Sequence, residues 1–224
     1  MQDLIAQEQF ELEVLERLNS ARLLDRLIFG GGTMLRLCYG LNRFSVDLDF
    51  WTVEAIEAKK FFGDVQKCLT QDYTLKDAAD KFNTLLFEIR STRYPRSLKI
   101  EIRKEKKNVA VEEAIAYSPY AGVQVRLKTV SLKDCMSAKV QAFLERREVR
   151  DAFDMEFLLK KGVTLDVSVA IAKKILNVID GLSVKDYTVK LGSLLKEEER
   201  KYYTKENFKI LKMALRGADH VSIL

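Results

Sequence analysis

A chain of 224 residues, 47% apolar and 32% charged, describes a soluble globular protein with core enough for one large domain or two small ones. No apolar run reaches ~18 residues, so no membrane span is expected, and a net charge of +5 leans only mildly towards an anionic partner. One histidine, His220, and three scattered cysteines, Cys38, Cys68 and Cys135, speak against zinc sites and histidine general bases.

Any catalysis must then rest on carboxylates, lysine, arginine and metal. The sparse, odd cysteine count suits a reducing cytoplasm. The acidic, amphipathic start Met1-Gln2-Asp3-Leu4 is not a signal peptide.

Residues 2–19 carry apolar positions at helical spacing, among them Leu4, Ile5, Leu12, Leu15 and Leu18. Arg26 to Phe29 forms a short connector or strand into Gly30-Gly31-Gly32. Thr33 to Tyr39 has the helical spacing of Met34, Leu35 and Cys38, and Gly40 ends that helix. Glycines at a helix mouth let backbone N–H groups approach an anion, and the helix N-terminus adds a positive partial charge.

Arg43 to Phe50 alternates strictly. Phe44, Val46, Leu48 and Phe50 share one face of a strand, and Arg43, Ser45, Asp47 and Asp49 share the other. Two carboxylates at i and i+2 sit ~7 Å apart, a distance at which they can converge on hard cations. An ordinary amphipathic surface strand would also alternate. Asp is depleted in strands, however, and like charges on one face repel unless a cation sits between them. A phosphate cradle adjoining a metal site is the favoured reading.

Glu54 to Leu69 reads as a helix, and residues 73–77, 84–91 and 97–103 as strands, with Tyr94-Pro95-Arg96-Ser97 as a turn. In the third strand Lys99, Glu101 and Arg103 share a face, which by itself reads as a solvated strand face. Residues 103–107, Arg-Lys-Glu-Lys-Lys, form a basic loop, read as a solvated turn with phosphate contact as the alternative. Val123 to Leu127 is one more strand.

Near residue 128 the period changes from 2 to 3.6, which divides the chain into 1–128 and 129–224. Ser131 can cap a helix to about Arg146. Leu132, Cys135, Met136, Val140 and Phe143 make its apolar stripe, and Lys139 falls inside that stripe. A buried ammonium needs an anion, either a carboxylate or a bound phosphate. In the next helix Asp151, Asp154, Met155 and Leu158 share a side. Asp151 would cap the helix dipole and Asp154 pair with Lys139 or Arg150, or the acids would face a cleft. Residues 168–180 form an apolar helix closed by Gly181, 184–203 an exposed charged helix and loop, and 205–216 a last helix.

Two blocks carry a family resemblance. Gly31-Gly32-Thr33-Met34-Leu35, then Tyr39-Gly40, then Arg43-Phe44-Ser45-Val46-Asp47-Leu48-Asp49-Phe50 resembles motif I of the polymerase-β-like nucleotidyltransferases. More narrowly it resembles the AbiEii-type toxins of type IV toxin–antitoxin pairs, to which the MenT-type toxins are similar. Lys139 followed by Arg146-x-x-x-Arg150-Asp151-x-x-Asp154 resembles the signature of that family's helical half, in which the lysine and last aspartate are essential. The wider group has Gly-Ser where Gly32-Thr33 stands here.

The resemblance implies an α+β fold: a polymerase-β-like nucleotidyltransferase mixed sheet flanked by helices, followed by a C-terminal helical bundle that brings Lys139 and Asp154 to the cleft. It implies that Asp47, Asp49 and Glu101 hold Mg²⁺ or Mn²⁺. Gly31, Gly32, Thr33, Ser45, Lys139 and Arg150 would bind the NTP. The implied reaction is transfer of a nucleoside monophosphate to an RNA or tRNA 3′ end, by the toxin of a toxin–antitoxin pair with a cognate antitoxin. Two other classes stay open: a transferase acting on a protein or small molecule, and a non-catalytic nucleotide- or partner-binding module.

Overall fold

The computed structural model describes residues 1–217, and the single histidine, His220, lies outside them. The chain divides into two compact units, Met1–Ser131 and a second beginning at Leu132. No helix among the described residues is long and apolar enough to cross a membrane. Cys38, Cys68 and Cys135 are all free of disulfides.

The first unit runs α1 (Gln2–Ser20), a 3₁₀ turn, β1 (Leu27–Gly30), α2 (Gly31–Tyr39), β2 (Asp47–Thr52), α3 (Ala58–Leu69) and then five strands. These are β3 (Thr74–Asp80), β4 (Thr84–Arg90), β5 (Leu98–Lys106), β6 (Val111–Tyr117) and β7 (Gln124–Val130). They form a mixed seven-stranded sheet in the order β3-β4-β5-β2-β1-β7-β6. The β2–β5 and β1–β7 pairs are parallel, and the other pairs are antiparallel. Phe29, Leu48, Phe50, Phe87, Ile100 and Ile102 are buried in its core, each contributing about 1.5–3 kcal/mol. The left-handed Gly40 (φ 78°) closes α2, a conformation a β-carbon would disfavour.

Three sequence expectations for this unit need correction. The strand expected from Arg43 begins only at Asp47. Side chains occupy the preceding carbonyls: Arg43 Nη1 donates to Phe44 O (3.0 Å) and Gln7 Nε2 to Val46 O (3.4 Å). Ser45 therefore lies on an irregular segment rather than a strand. The basic run 103–107 is largely strand, since β5 continues to Lys106. Strand β6 went unassigned because its pattern is inverted. Val111, Ile115 and Tyr117 are exposed at the sheet edge, whereas small Ala116 points inward.

The second unit is helical: α4 (Leu132–Arg146), α5 (Val149–Lys160), α6 (Val169–Asp180), α7 (Glu197–Glu206) and α8 (Lys209–Gly217). Helix α5 is its centre and is buried on every side from Asp151 to Leu158. Fully buried Glu156 accepts a hydrogen bond from Leu211 N (2.9 Å), satisfying an orphan amide in the first turn of α8. The stretch expected to be exposed over 184–203 instead buries Tyr187, Leu191, Leu195 and Tyr203. Residues 186–191 are a π-helical turn, so a search at 3.6 residues per turn passes over them. The last helix begins at Lys209, not 205, because Asn207 (φ 46°) and Phe208 (φ 55°) are left-handed and break the chain there.

Candidate active site

Asp49 occupies a central position in the sheet. It pairs with Gly30 on β1 and, on the other side, stands directly opposite Glu101 on β5. Asp47 is opposite Lys99, and Trp51 opposite Arg103. Residues in register on neighbouring strands share a face, about 4.8 Å apart in backbone spacing. One face therefore presents Asp47, Asp49 and Trp51 beside Lys99, Glu101 and Arg103. The three carboxylate residues are half-buried, so water and ions reach them.

Lys99 forms an ion pair with Glu101. That hydrogen bond, with Asp47 and Asp49 adding attraction, holds the Lys99 ammonium above the ordinary lysine range. Among the described residues no three acidic, histidine or cysteine side chains converge on a ready-made ion site. The acids nevertheless fit Mg²⁺, which keeps several waters and takes one or two carboxylates plus substrate phosphates rather than an all-protein cage.

The glycines bring α2 against this face. Gly31 has φ +74°, and the Asp49 carboxylate lies where a β-carbon would stand. A β-carbon on Gly32 would lie 2.5 Å from Arg43 Nη2 and 2.8 Å from Ser45 Oγ. The N-terminus of α2, with its free amides and partial positive charge, thus adjoins both the acids and buried Arg43. Thr33 sits at this helix start with its hydroxyl turned to the main chain of β2. Its side chain is fully buried, and its hydroxyl donates to the Asp47 carbonyl (2.6 Å). It ties α2 to the acid strand, and its backbone amide faces the same helix start as those of Gly31 and Gly32.

Residues behind the sheet fix its geometry. Fully buried Gln7 on α1 bridges Val46 O (3.4 Å) and Ser97 O (3.5 Å), the carbonyls just before β2 and β5. Glu8 binds Arg36 of α2 (2.7 Å) and accepts from the Ser118 hydroxyl. Nearby Glu11 is wholly buried, and burial, then Glu8 and Asp47, push its carboxyl well above the ordinary glutamate value. Gln7 and Trp51 were not singled out from sequence, and Arg43 stood there only within the motif I string, with no site role of its own. A polar residue on the buried stripe of α1 was the available signal for Gln7, as was single occurrence for tryptophan.

In the second unit, Lys139 is buried as its place in the apolar stripe requires. Its Nζ is 2.6 Å from Asp154 Oδ2 and 3.4 Å from Asp151 Oδ1. Arg146 grips Asp151 with two 2.7 Å hydrogen bonds, and both aspartates are fully buried. Two cations and two carboxylates thus form a neutral quartet. The structure brings Lys139 and Asp154 together, whereas half-buried Arg150 makes no ion pair among the described residues.

The fold is similar to that of JHP933 from Helicobacter pylori, at 22% identity and a TM-score of 0.56 over 96% of each chain. It is also similar to MenT4, a nucleotidyltransferase toxin from Mycobacterium tuberculosis, at 15% identity and a TM-score of 0.52, covering 96% of this chain and 92% of that one. No curated protein matches the sequence. The family described as nucleotidyl transferase AbiEii toxin, type IV toxin–antitoxin system, matches residues 13–211. That match spans the acid strands and the Lys139 helix alike, and the chain belongs to the AbiEii family of nucleotidyltransferase toxins.

Proposed function

We propose that the protein transfers a nucleoside monophosphate from an NTP to an RNA 3′-hydroxyl, with the tRNA acceptor end as the favoured target, acting in the cytoplasm as the toxin of a toxin–antitoxin pair. The register that sets Asp49 opposite Glu101, with the start of α2 against the same carboxylate, carries this reading.

Asp47, Asp49 and Glu101 would hold Mg²⁺, which when bound neutralises phosphate charge and lowers the pKa of an attacking hydroxyl. The amides of Gly31, Gly32 and Thr33 cradle the β- and γ-phosphates, and Ser45 Oγ bonds a phosphate oxygen. The acceptor oxygen forms a bond to the α-phosphorus while the bond to the β-phosphate oxygen breaks and pyrophosphate leaves. The hydroxyl proton passes to Glu101 or to water. By the family resemblance Lys139 would offset charge on the triphosphate, with Asp154 keeping its ammonium extended and charged. Asp151 is held by Arg146, so Asp154 is the partner committed to Lys139.

Incubation of the protein with total tRNA, Mg²⁺ and each α-labelled NTP in turn tests the reading. Label on tRNA, lost in Asp47→Ala, is expected. Label on a protein or small molecule instead would move the acceptor to another class. Absence of both label and metal-dependent NTP binding would sink the enzyme assignment for this chain.

A further inference from the structure

The site face continues beyond the acids. Trp51 follows Asp49 by two residues on β2, and it is the only tryptophan in the chain. Its indole lies against Gly30, where a β-carbon would collide with the six-membered ring, so the glycine makes room for it. Lys107 Nζ stands over the ring, 4.8 Å from its centroid. Exposed Arg103, opposite Trp51, makes no ion pair among the described residues. Lys104 is turned away to Asp80 and the Lys81 carbonyl. The β2–β5 register slips at this point, from Trp51↔Arg103 to Thr52↔Lys106. Such bulges re-aim side chains beside active sites.

Direction decides what this group meets. The start of α2 touches Asp49 through Gly31 and Asp47 through Thr33, so the phosphate cradle lies towards the Asp47 end of β2. Trp51 lies towards the other end. In-line transfer requires the attacking hydroxyl to approach the α-phosphorus opposite the leaving pyrophosphate.

We propose that Trp51, Arg103 and Lys107 form the acceptor platform, on which a base of a single-stranded nucleic acid 3′ end stacks while the two cations bind its phosphates. The proposal rests on the transferase reading above and specifies its acceptor side. Base stacking on an aromatic ring tolerates any sequence, and flanking cations follow the backbone. Lys107 belongs to the segment between β5 and β6, so it can leave the ring for a neighbouring phosphate as the base arrives.

Because Trp51 is the sole tryptophan, intrinsic fluorescence reads the site directly. The protein is titrated with an eight-nucleotide single-stranded RNA, with NTP and with inorganic triphosphate, and binding of the labelled RNA is followed in parallel by anisotropy. Saturable quenching by RNA, and none by triphosphate, is expected. Trp51→Leu should weaken RNA binding about tenfold, with Trp51→Phe restoring part of it. Arg103→Gln should lower the salt dependence by about one phosphate contact. Quenching by NTP but not by RNA would overturn the proposal, because the ring would then read the donor base. RNA that binds and is labelled without quenching would also overturn it while leaving the transferase reading intact. Absence of transfer in an assay where RNA still quenches Trp51 would remove the transferase reading and with it the acceptor role, leaving RNA binding at the ring alone.

Discussion

The hydroxyl of fully buried Thr33 donates to the backbone carbonyl of half-buried Asp47 at 2.6 Å. Helix α2 and the acid strand are therefore tied at the point where the proposed phosphate cradle and the proposed metal ligands would have to keep a fixed distance. Thr33→Val keeps the shape and removes the donor. Losing one such part-buried hydrogen bond costs about 0.5–1.5 kcal/mol. The expected result is a modest fall in melting temperature and a larger fall in transfer rate, with a raised Mg²⁺ requirement. Thr33→Ser should restore the rate. Steady-state transfer at varied Mg²⁺ checks this, and an unchanged metal requirement in Thr33→Val would contradict it.

Lys99 is the internal counter-ion of the acid face, paired with Glu101 and attracted by Asp47 and Asp49. A divalent cation bound as proposed would compete with this ammonium for the same carboxylate. Lys99→Met should lower the melting temperature in metal-free buffer, since the acids then repel unscreened. It should also enlarge the thermal shift on adding Mg²⁺ and lower the concentration giving half the shift. The Lys99 pKa is raised on folding, so its stabilising contribution is present below the unfolded lysine value and is lost as pH rises through the folded one. Between pH 6 and 8 it stays constant, and the Mg²⁺ comparison is free of its titration.

Glu11 gives the opposite pH signature from most carboxylates. Its folded pKa is raised by burial, and Oε1 has no hydrogen-bond partner. Above the unfolded glutamate value the native state binds more protons than the unfolded one. Stability therefore falls as pH rises from that value through the folded pKa. Glu11→Gln removes the titration. The variant should gain little at pH 4.5 and progressively more towards pH 8, read as the difference in melting temperature from wild type. A gain that is constant across this range would show that Glu11 does not titrate there.

Patterns with a strict period were the legible part of this chain. Asp47 and Asp49 alternate against Leu48 and Phe50, and Lys139 interrupts an apolar stripe, so face and burial could be read without coordinates. What escaped was set by pairing between distant segments. Nothing local to Glu101 distinguishes it from a solvated strand acid; the family resemblance alone pointed to it, and it is the parallel register with β2 that puts it opposite Asp49. The Thr33 hydroxyl is visible in sequence, but its partner, the Asp47 carbonyl, is not. Gln7 and Arg43 act on main-chain carbonyls, which carry no sequence signal. The core residues of 186–191 were missed because a π turn has no 3.6 period.

The Lys139–Asp154 pair separates structural from catalytic roles. Both side chains are buried, and Asp154 loses its close cation if Lys139 is replaced by Met. Leaving one member of a buried pair uncompensated costs about 3–5 kcal/mol, whereas replacing both by apolar residues is often near neutral. Lys139→Met alone should therefore be strongly destabilised in urea, and its lost activity would be ambiguous. The double variant Lys139→Met/Asp154→Leu should recover most of the stability. Arg146 still holds Asp151 in that variant, so the rest of the quartet remains paired. If the pair serves only to hold α4 against α5, transfer returns with stability. If Lys139 acts on the triphosphate, the stable double variant remains inactive at every Mg²⁺ concentration, and that is the expected outcome.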